Sequence, residues 1–288
     1  MTTASHVRSF HHAASGTWTH LVWDPASRRA AVIDPVLDYD AAAARTGDGA
    51  AQAVAAALAE EGLTLDWVLE THAHADHLTA ARWFRTRYGC AVGIGRGICD
   101  VQDSFRAFYG LGEALAVDGR QFDRLLDDGD RLRLGDLTIA VMATPGHTPD
   151  SVTYVVGDAA FVGDTLFAPD AGTARCDFPG GDAATLYGSI QRLFDLGDDT
   201  RLFLCHDYPD GDEAPRCSFT VGEQRRDNIH VGGGGDVAQF VALREARDAN
   251  LPVPELMLPA VQVNIRAGDL PSPEADGGVY LRIPVDRL

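Results

Sequence analysis

Thr71-His72-Ala73-His74-Ala75-Asp76-His77-Leu78 is the densest chemical signal in this chain: three imidazoles and one carboxylate within six residues. The run follows directly on an apolar stretch, Leu65-Asp66-Trp67-Val68-Leu69. Borderline transition metals bind nitrogen and carboxylate oxygen, and a strand ending in a tight loop converges several such donors on one point. In an extended segment His72 and His74 lie on one side, with Asp76 and His77 following in the turn. The other histidines are scattered, so compositional His-richness does not explain the run.

Three further polar motifs each stand where an apolar run ends. His147 lies in Thr144-Pro145-Gly146-His147-Thr148-Pro149, where a Pro-Gly turn holds an imidazole rigidly. Asp164 lies in Gly163-Asp164-Thr165, and the glycine permits close approach. His206 lies in His206-Asp207-Tyr208. Any one of them is ordinary turn chemistry. Repeated at the same topological position, they predict one shared site at a sheet edge.

The elements that must position these groups are legible as apolar runs, helix-forming composition and turn chemistry. Residues 19–24 and 29–34 read as strands joined at Pro25-Ala26-Ser27, with Asp34-Pro35 closing the second. His11 and His12 read as polar residues on an early strand or loop. Helices are predicted over 50–61, 80–88, 182–195 and 237–250, and an inserted helix near the site mouth over 100–112. Strands are predicted over 67–70, 91–95, 131–134, 137–143, 152–156, 159–162 and 201–205, and an extended proline-rich tail after Leu251. Two successive β-rich halves with interspersed helices predict an α/β (α+β) fold: two mixed sheets face to face with helices outside, an αββα sandwich. Without a low-complexity linker, 1–288 reads as one domain, with 237–288 as a C-terminal extension packed on it.

The formal net charge of −18 argues against nucleic acid and against an anionic membrane surface as partners. The chain contains no lysine, so anionic substrates must be held by arginine, backbone N–H groups or a metal. Five cysteines without a C-x-x-C pair read as reduced thiols. No basic-then-apolar leader and no membrane-length apolar stretch is visible, so a cytoplasmic location is expected.

Taken together, the segment 71–78 with His147, Asp164 and His206 resembles, in order and spacing, the metallo-β-lactamase-fold superfamily. Asp170-Ala171-Gly172-Thr173-Ala174-Arg175-Cys176-Asp177-Phe178-Pro179-Gly180-Gly181 is more specific. With Thr185-Leu186-Tyr187, His206-Asp207-Tyr208 and Asn250-Leu251-Pro252-Val253-Pro254, it resembles the persulfide dioxygenases. That resemblance implies one Fe(II) per chain, held by His72, His147 and Asp164, with zinc as an alternative occupant on isolation. It makes Asp76, His77 and His206 a second-metal set that dioxygenases leave empty, and His74 a near-site residue. Two positions depart from the superfamily pattern: Asp150 replaces a small residue after Thr-Pro, and Cys205 replaces the glycine before His-Asp-Tyr.

The implied reaction takes glutathione persulfide and O2, with water, to glutathione and sulfite, and a homodimer is compatible with it. Arg175 is the first candidate for stabilising anionic substrate, with Asp177 as its competing ion-pair partner. Tyr208 could hydrogen-bond a ligand carboxylate or bound oxygen. Arg225, Arg226 and Arg266 are candidates for the glutathione carboxylates, and Cys176 reads as a buried inert thiol. The competing enzymatic reading is a dinuclear-metal thioester hydrolase resembling glyoxalase II. A metal-dependent sensor and a β-lactamase are weaker readings: the first needs a closed metal site, the second an export signal.

Overall fold

Leu21 and Trp23 join one apolar cluster and Val22, between them, joins another. Ala30 and Val32 divide from Ala31 and Ile33 in the same way, and Val68 from Leu69. This is the period of two of a strand covered on both faces. In a computed structural model describing residues 5–208 and 213–287, those strands form a sheet with helices on one face and a second sheet on the other. Met1 to Ala4 lie outside the described residues.

The first sheet contains β1 (His6–His12), β2 (Thr17–Trp23), β3 (Arg29–Ile33), β4 (Thr64–Leu69), β5 (Ala91–Gly95) and β6 (Arg124–Leu126), in that spatial order. Its first two pairings are antiparallel and the next three parallel. The second sheet runs in order through β7 (Arg131–Leu134), β8 (Leu137–Ala143), β9 (Val152–Val156), β10 (Ala159–Phe161), β11 (Arg201–Phe203) and β12 (Ser218–Thr220). Only its β10–β11 pairing is parallel. Ala159 and Phe161 face the first sheet, whereas Ala160 and Leu202 face the helices outside. Two mixed sheets flanked by helices make the αββα sandwich.

The helices are α1 (Gly49–Glu60), α2 (Ala81–Tyr88), α3 (Ile98–Phe108), α4 (Ala183–Phe194), α5 (Val221–Asp227), α6 (Val237–Asp248) and α7 (Met257–Asn264). No helix among the described residues is long and apolar enough to cross a membrane. The tail after Leu251 is not wholly extended: α7 forms there and buries Met257, Val261 and Val263. Pro259 does not oppose it, because a first-turn residue has no intrahelical acceptor for its N–H. The short α5 is fixed by a capping box between Thr220 and Glu223.

His20, on β2, is 1% exposed; its Nε2 donates to the Leu204 carbonyl (2.8 Å) and its Nδ1 accepts from Ser9 Oγ (2.8 Å). The neutral ring is fully partnered, and burial pushes its pKa down to about 4. An unfolded chain protonates that ring near 6.5, so below that pH it binds more protons than the folded chain does. Stability is therefore expected to fall as pH drops from about 6.5, losing about 3 kcal/mol by pH 4 from this group. Urea midpoints should decline less steeply with acid in His20→Gln than in the wild type; parallel declines would acquit His20.

Candidate metal centre

Four strand ends meet at one edge of the sandwich. β4 runs into residues 70–77, β8 into 144–150, β10 into the turn Gly163–Thr165 and β11 into Cys205-His206. The Val152 N–H donates to the Thr71 carbonyl (2.9 Å), and Thr17 at the start of β2 bridges to His206, so both sheets hold the edge. Gly163 has φ +53°, and a Cβ there would lie 2.6 Å from Thr71 Oγ1. Glycine therefore permits the Asp164 turn to press against the first ligand loop.

Donor atoms of His72, His147 and Asp164 fall within 4.8 Å of one another. Nε2 of His72 is 3.7 Å and Nε2 of His147 3.6 Å from Asp164 Oδ2. Both tautomers follow from the far ring nitrogens. Thr71 Oγ1 donates to Asp34 Oδ2 (2.9 Å), so it accepts from His72 Nδ1 (3.1 Å). His147 Nδ1 donates to the Arg175 carbonyl (2.7 Å). Each ring thus turns a bare Nε2 toward Asp164, the arrangement that outer hydrogen bonds give metal-binding imidazoles. Burial, then His74, pushes the His72 pKa well below its ordinary value and keeps the ring neutral.

His72 Nε2 and Asp164 Oδ1 are buried without a hydrogen-bond partner. A bare buried acceptor costs roughly 1–3 kcal/mol, which a cation at this position removes. The three residues fit a metal ion.

A second donor group, His74, Asp76, His77 and His206, adjoins the first. His206 Nε2 lies 3.3 Å from Asp164 Oδ1 and 3.4 Å from Asp76 Oδ2. Burial lowers the His206 pKa, but Asp76 and Asp164 outweigh it and the net shift is upward. Much of this group is already engaged: Asp76 Oδ2 accepts from Thr17 Oγ1 (3.1 Å) and His77 Nδ1 (3.1 Å). His74 Nε2 donates to Asp34 Oδ1 (3.0 Å).

A family model described as the metallo-beta-lactamase superfamily matches residues 14–206. The chain belongs to that superfamily. It is 50% identical to a probable metallo-hydrolase of Burkholderia pseudomallei, over 98% of this chain and 99% of that one. It is 47% identical to a beta-lactamase hydrolase-like protein of Xylella fastidiosa, of whose length it spans 65%. It is 33% identical to the mitochondrial persulfide dioxygenase of Homo sapiens, over 91% of this chain and 88% of that one. A crystal structure of ETHE1 from Myxococcus xanthus superposes with a TM-score of 0.74 at 33% identity, over 92% of this chain and all of that one. The chain is therefore a persulfide-dioxygenase-like member of the superfamily.

Around this metallo-beta-lactamase edge the other expected residues fall unevenly. Arg175 makes the ion pair named as its alternative: Nε and Nη2 donate to the two Asp177 oxygens (both 2.6 Å) and Nη1 to the Pro252 carbonyl (2.6 Å). Its guanidinium packs over Phe178, whose ring meets His147 edge-on at 5.2 Å. Arg175 thus reaches His147 through its carbonyl and through Phe178. Tyr208 lies parallel to the His206 ring at 5.8 Å, exposed, on the wall of a cleft of about 620 Å³ that also presents His12, Tyr39, Asp76, His77 and Glu255. Arg225, Arg226 and Arg266 do not line this cleft. Arg225 donates to the Phe194 carbonyl, Arg226 pairs with Asp227, and Arg266 donates to the Gln262 carbonyl. Cys176 is buried, its thiol pushed up to about 12, which makes it unreactive.

The two departures from the superfamily pattern have definite places. Asp150 Oδ2 accepts from the Ala73 N–H (2.8 Å), tying the His147 loop to the His72 loop. Cys205 is buried, its Sγ 4.0 Å from His74 Nδ1.

Two positioning residues are not among the expected site residues. Asp34 takes a left-handed φ of +49° at the end of β3 and accepts from Thr71 N (2.7 Å), Thr71 Oγ1 and His74 Nε2. Asn264, at the end of α7, donates to the carbonyls of His74 and His77 and accepts from Thr79 N, each at 2.8 Å. The Asp-Pro pair after a buried strand hints at the first. Nothing within 180 residues of the ligand loop hints at the second.

Proposed function

We propose that this protein is a mononuclear non-haem iron persulfide dioxygenase that takes glutathione persulfide, O2 and water to glutathione and sulfite. The observation that carries the reading is the His72–His147–Asp164 cluster, with both Nε2 atoms turned toward one carboxylate. Likeness to human persulfide dioxygenase over most of both chains supports it. His72, His147 and Asp164 would hold Fe(II), which would supply a binding centre for a soft sulfur anion and dioxygen; the four electrons that reduce dioxygen come from the outer persulfide sulfur as it becomes sulfite.

The chain's own residues do the rest. Thr71 and the Arg175 carbonyl fix the two rings before substrate arrives, so no reorganisation accompanies reaction. Two neutral imidazoles and one carboxylate leave a net positive charge on the site, which favours an anionic persulfide. The burial of the ligand edge and the packing of Phe178 against His147 limit water around the reacting sulfur. The cleft at Tyr208 has the volume of a small-molecule site. A cytoplasmic location and a homodimer complete the reading; the free state of all five cysteines supports the first, and light scattering tests the second.

Protein loaded anaerobically with one equivalent of Fe(II) should consume oxygen on addition of glutathione persulfide and release sulfite. Arg175→Ala should retain its iron and lose roughly tenfold in kcat/KM, because the Asp177 clamp shapes the segment that orients His147. Unchanged kinetics would remove Arg175 from the mechanism.

One observation favours a second reading. Nε2 of His77 and both ring nitrogens of His206 are also buried and unpartnered. A dinuclear thioester hydrolase would use those atoms. Two zinc ions per chain with cleavage of S-lactoylglutathione and no oxygen uptake would select it.

A further inference from the structure

Two arginines of this chain are more than nine-tenths buried, Arg244 at 2% and Arg266 at 8% exposed. A buried guanidinium needs an opposite charge. Arg244 has one, in Asp248 on the next turn of α6. Among the described residues no carboxylate pairs with Arg266; the bond to the Gln262 carbonyl at the end of α7 uses one of its five donors.

A second arginine stands beside it. Gln262 Oε1 accepts from the Arg282 backbone N–H (2.9 Å), and Gln262 Nε2 donates to the Arg282 carbonyl (2.8 Å). Gln262 therefore ties the Arg282 backbone to the same helix turn whose carbonyl takes the Arg266 guanidinium. Arg282 donates to the carbonyls of Tyr109 and Gly110 and is also without a carboxylate partner among the described residues. Both line a cavity of about 450 Å³ between the segment 111–121, α7 and the C-terminal segment, separate from the cleft at Tyr208. Of the acidic groups on its wall, Asp269 is shared by Arg82 (2.7 Å) and Arg85 (3.1 Å), and Glu274 is exposed at the rim. Burial and then Arg282 lower the Arg266 pKa, the direction expected of a cation lacking its counter-charge.

We infer that this cavity is a binding site for a small divalent anion, an oxyanion or a dicarboxylate, seated between Arg266 and Arg282. It stands apart from the iron chemistry and does not depend on the reaction proposed above.

Isothermal titration of the iron-loaded full chain with sodium sulfate, and separately with sodium succinate, at chloride-balanced ionic strength tests it. Saturable binding of one anion per chain is expected. Arg266→Gln and Arg282→Gln should each weaken it roughly tenfold or more, since each removes charged hydrogen bonds. Should Arg266→Gln fail to fold, the exposed Arg282→Gln carries the test alone. Metal-free His147→Ala should bind the anion as the metal-free wild type does, because the metal edge is elsewhere. Preference for sulfate identifies an oxyanion and preference for succinate a dicarboxylate. No saturable heat, equal binding in both arginine variants, or loss of binding in His147→Ala would each overturn the inference.

Discussion

His147→Ala is expected to abolish both stoichiometric iron binding and persulfide-dependent oxygen uptake. The ring supplies one of three donors that share a centre, and its Nε2 is 3.6 Å from Asp164 Oδ2. Disturbing an outer hydrogen bond to a ligand lowers metal affinity roughly 10–100-fold, and deleting a ligand costs more than that. The metal-free fold should survive, because the His147 loop is anchored independently by Asp150 to Ala73 and by Ser189 Oγ to the Pro145 carbonyl (2.6 Å). Iron quantitation on anaerobically reconstituted protein, together with an oxygen electrode, reads both effects. A variant that still takes up oxygen would sink the ligand assignment, whatever its iron content.

Asn264→Ala is the second large effect, and it acts at a distance. The side chain is 3% exposed and serves two carbonyls and one N–H of the ligand loop. Deleting it strands all three in a dry environment, at about 1–3 kcal/mol each before relaxation. A net loss of about 3–5 kcal/mol is therefore expected. The carbonyls concerned belong to His74 and His77, so loop 72–79 should loosen and iron affinity should fall roughly 10–100-fold. Asn264→Asp keeps the acceptor for Thr79 N and should be intermediate. Unfolding midpoints measured with and without Fe(II) separate the two consequences. Iron stabilises the folded state in proportion to its affinity, so the iron-induced shift should shrink in the variant. An undiminished shift would make Asn264 a residue of the fold alone.

The segment from α6 onward thus bears on the metal centre by two routes. α7 delivers Asn264 to the His74–Thr79 segment, and α6 delivers Asp248, whose Oδ2 accepts from the Cys176 N–H (2.8 Å). Cys176 adjoins Arg175, whose carbonyl sets the His147 tautomer. Neither contact is local, and each fixes a backbone position rather than contributing a donor to the cluster.

Much of the architecture was legible from the chain. Apolar runs over 19–24, 29–34 and 137–143, with turn residues between the first two, predict strands that the sheets contain. The four polar motifs at strand ends were predicted to share an edge, and the fold brings them there. These features are written in a few neighbouring residues, because side-chain direction in a strand and φ at a turn are local properties. The tail was misread where α7 forms, since proline in a first turn looks, in sequence, like a break.

Which polar groups are free was decided only by the tertiary structure. Sequence leaves Arg175 between substrate and Asp177 and offers Arg266 as a glutathione contact; the fold pairs the first with Asp177 and seats the second in another cavity. Sequence gave Asp34 a strand end and Asn264 no role at all, yet both hold the ligand loop. The physical reason is that hydrogen-bonding capacity belongs to a residue, while its use depends on which partner arrives first from elsewhere in the chain. Partners separated by 185 to 190 residues leave no pattern that reading along the sequence can detect.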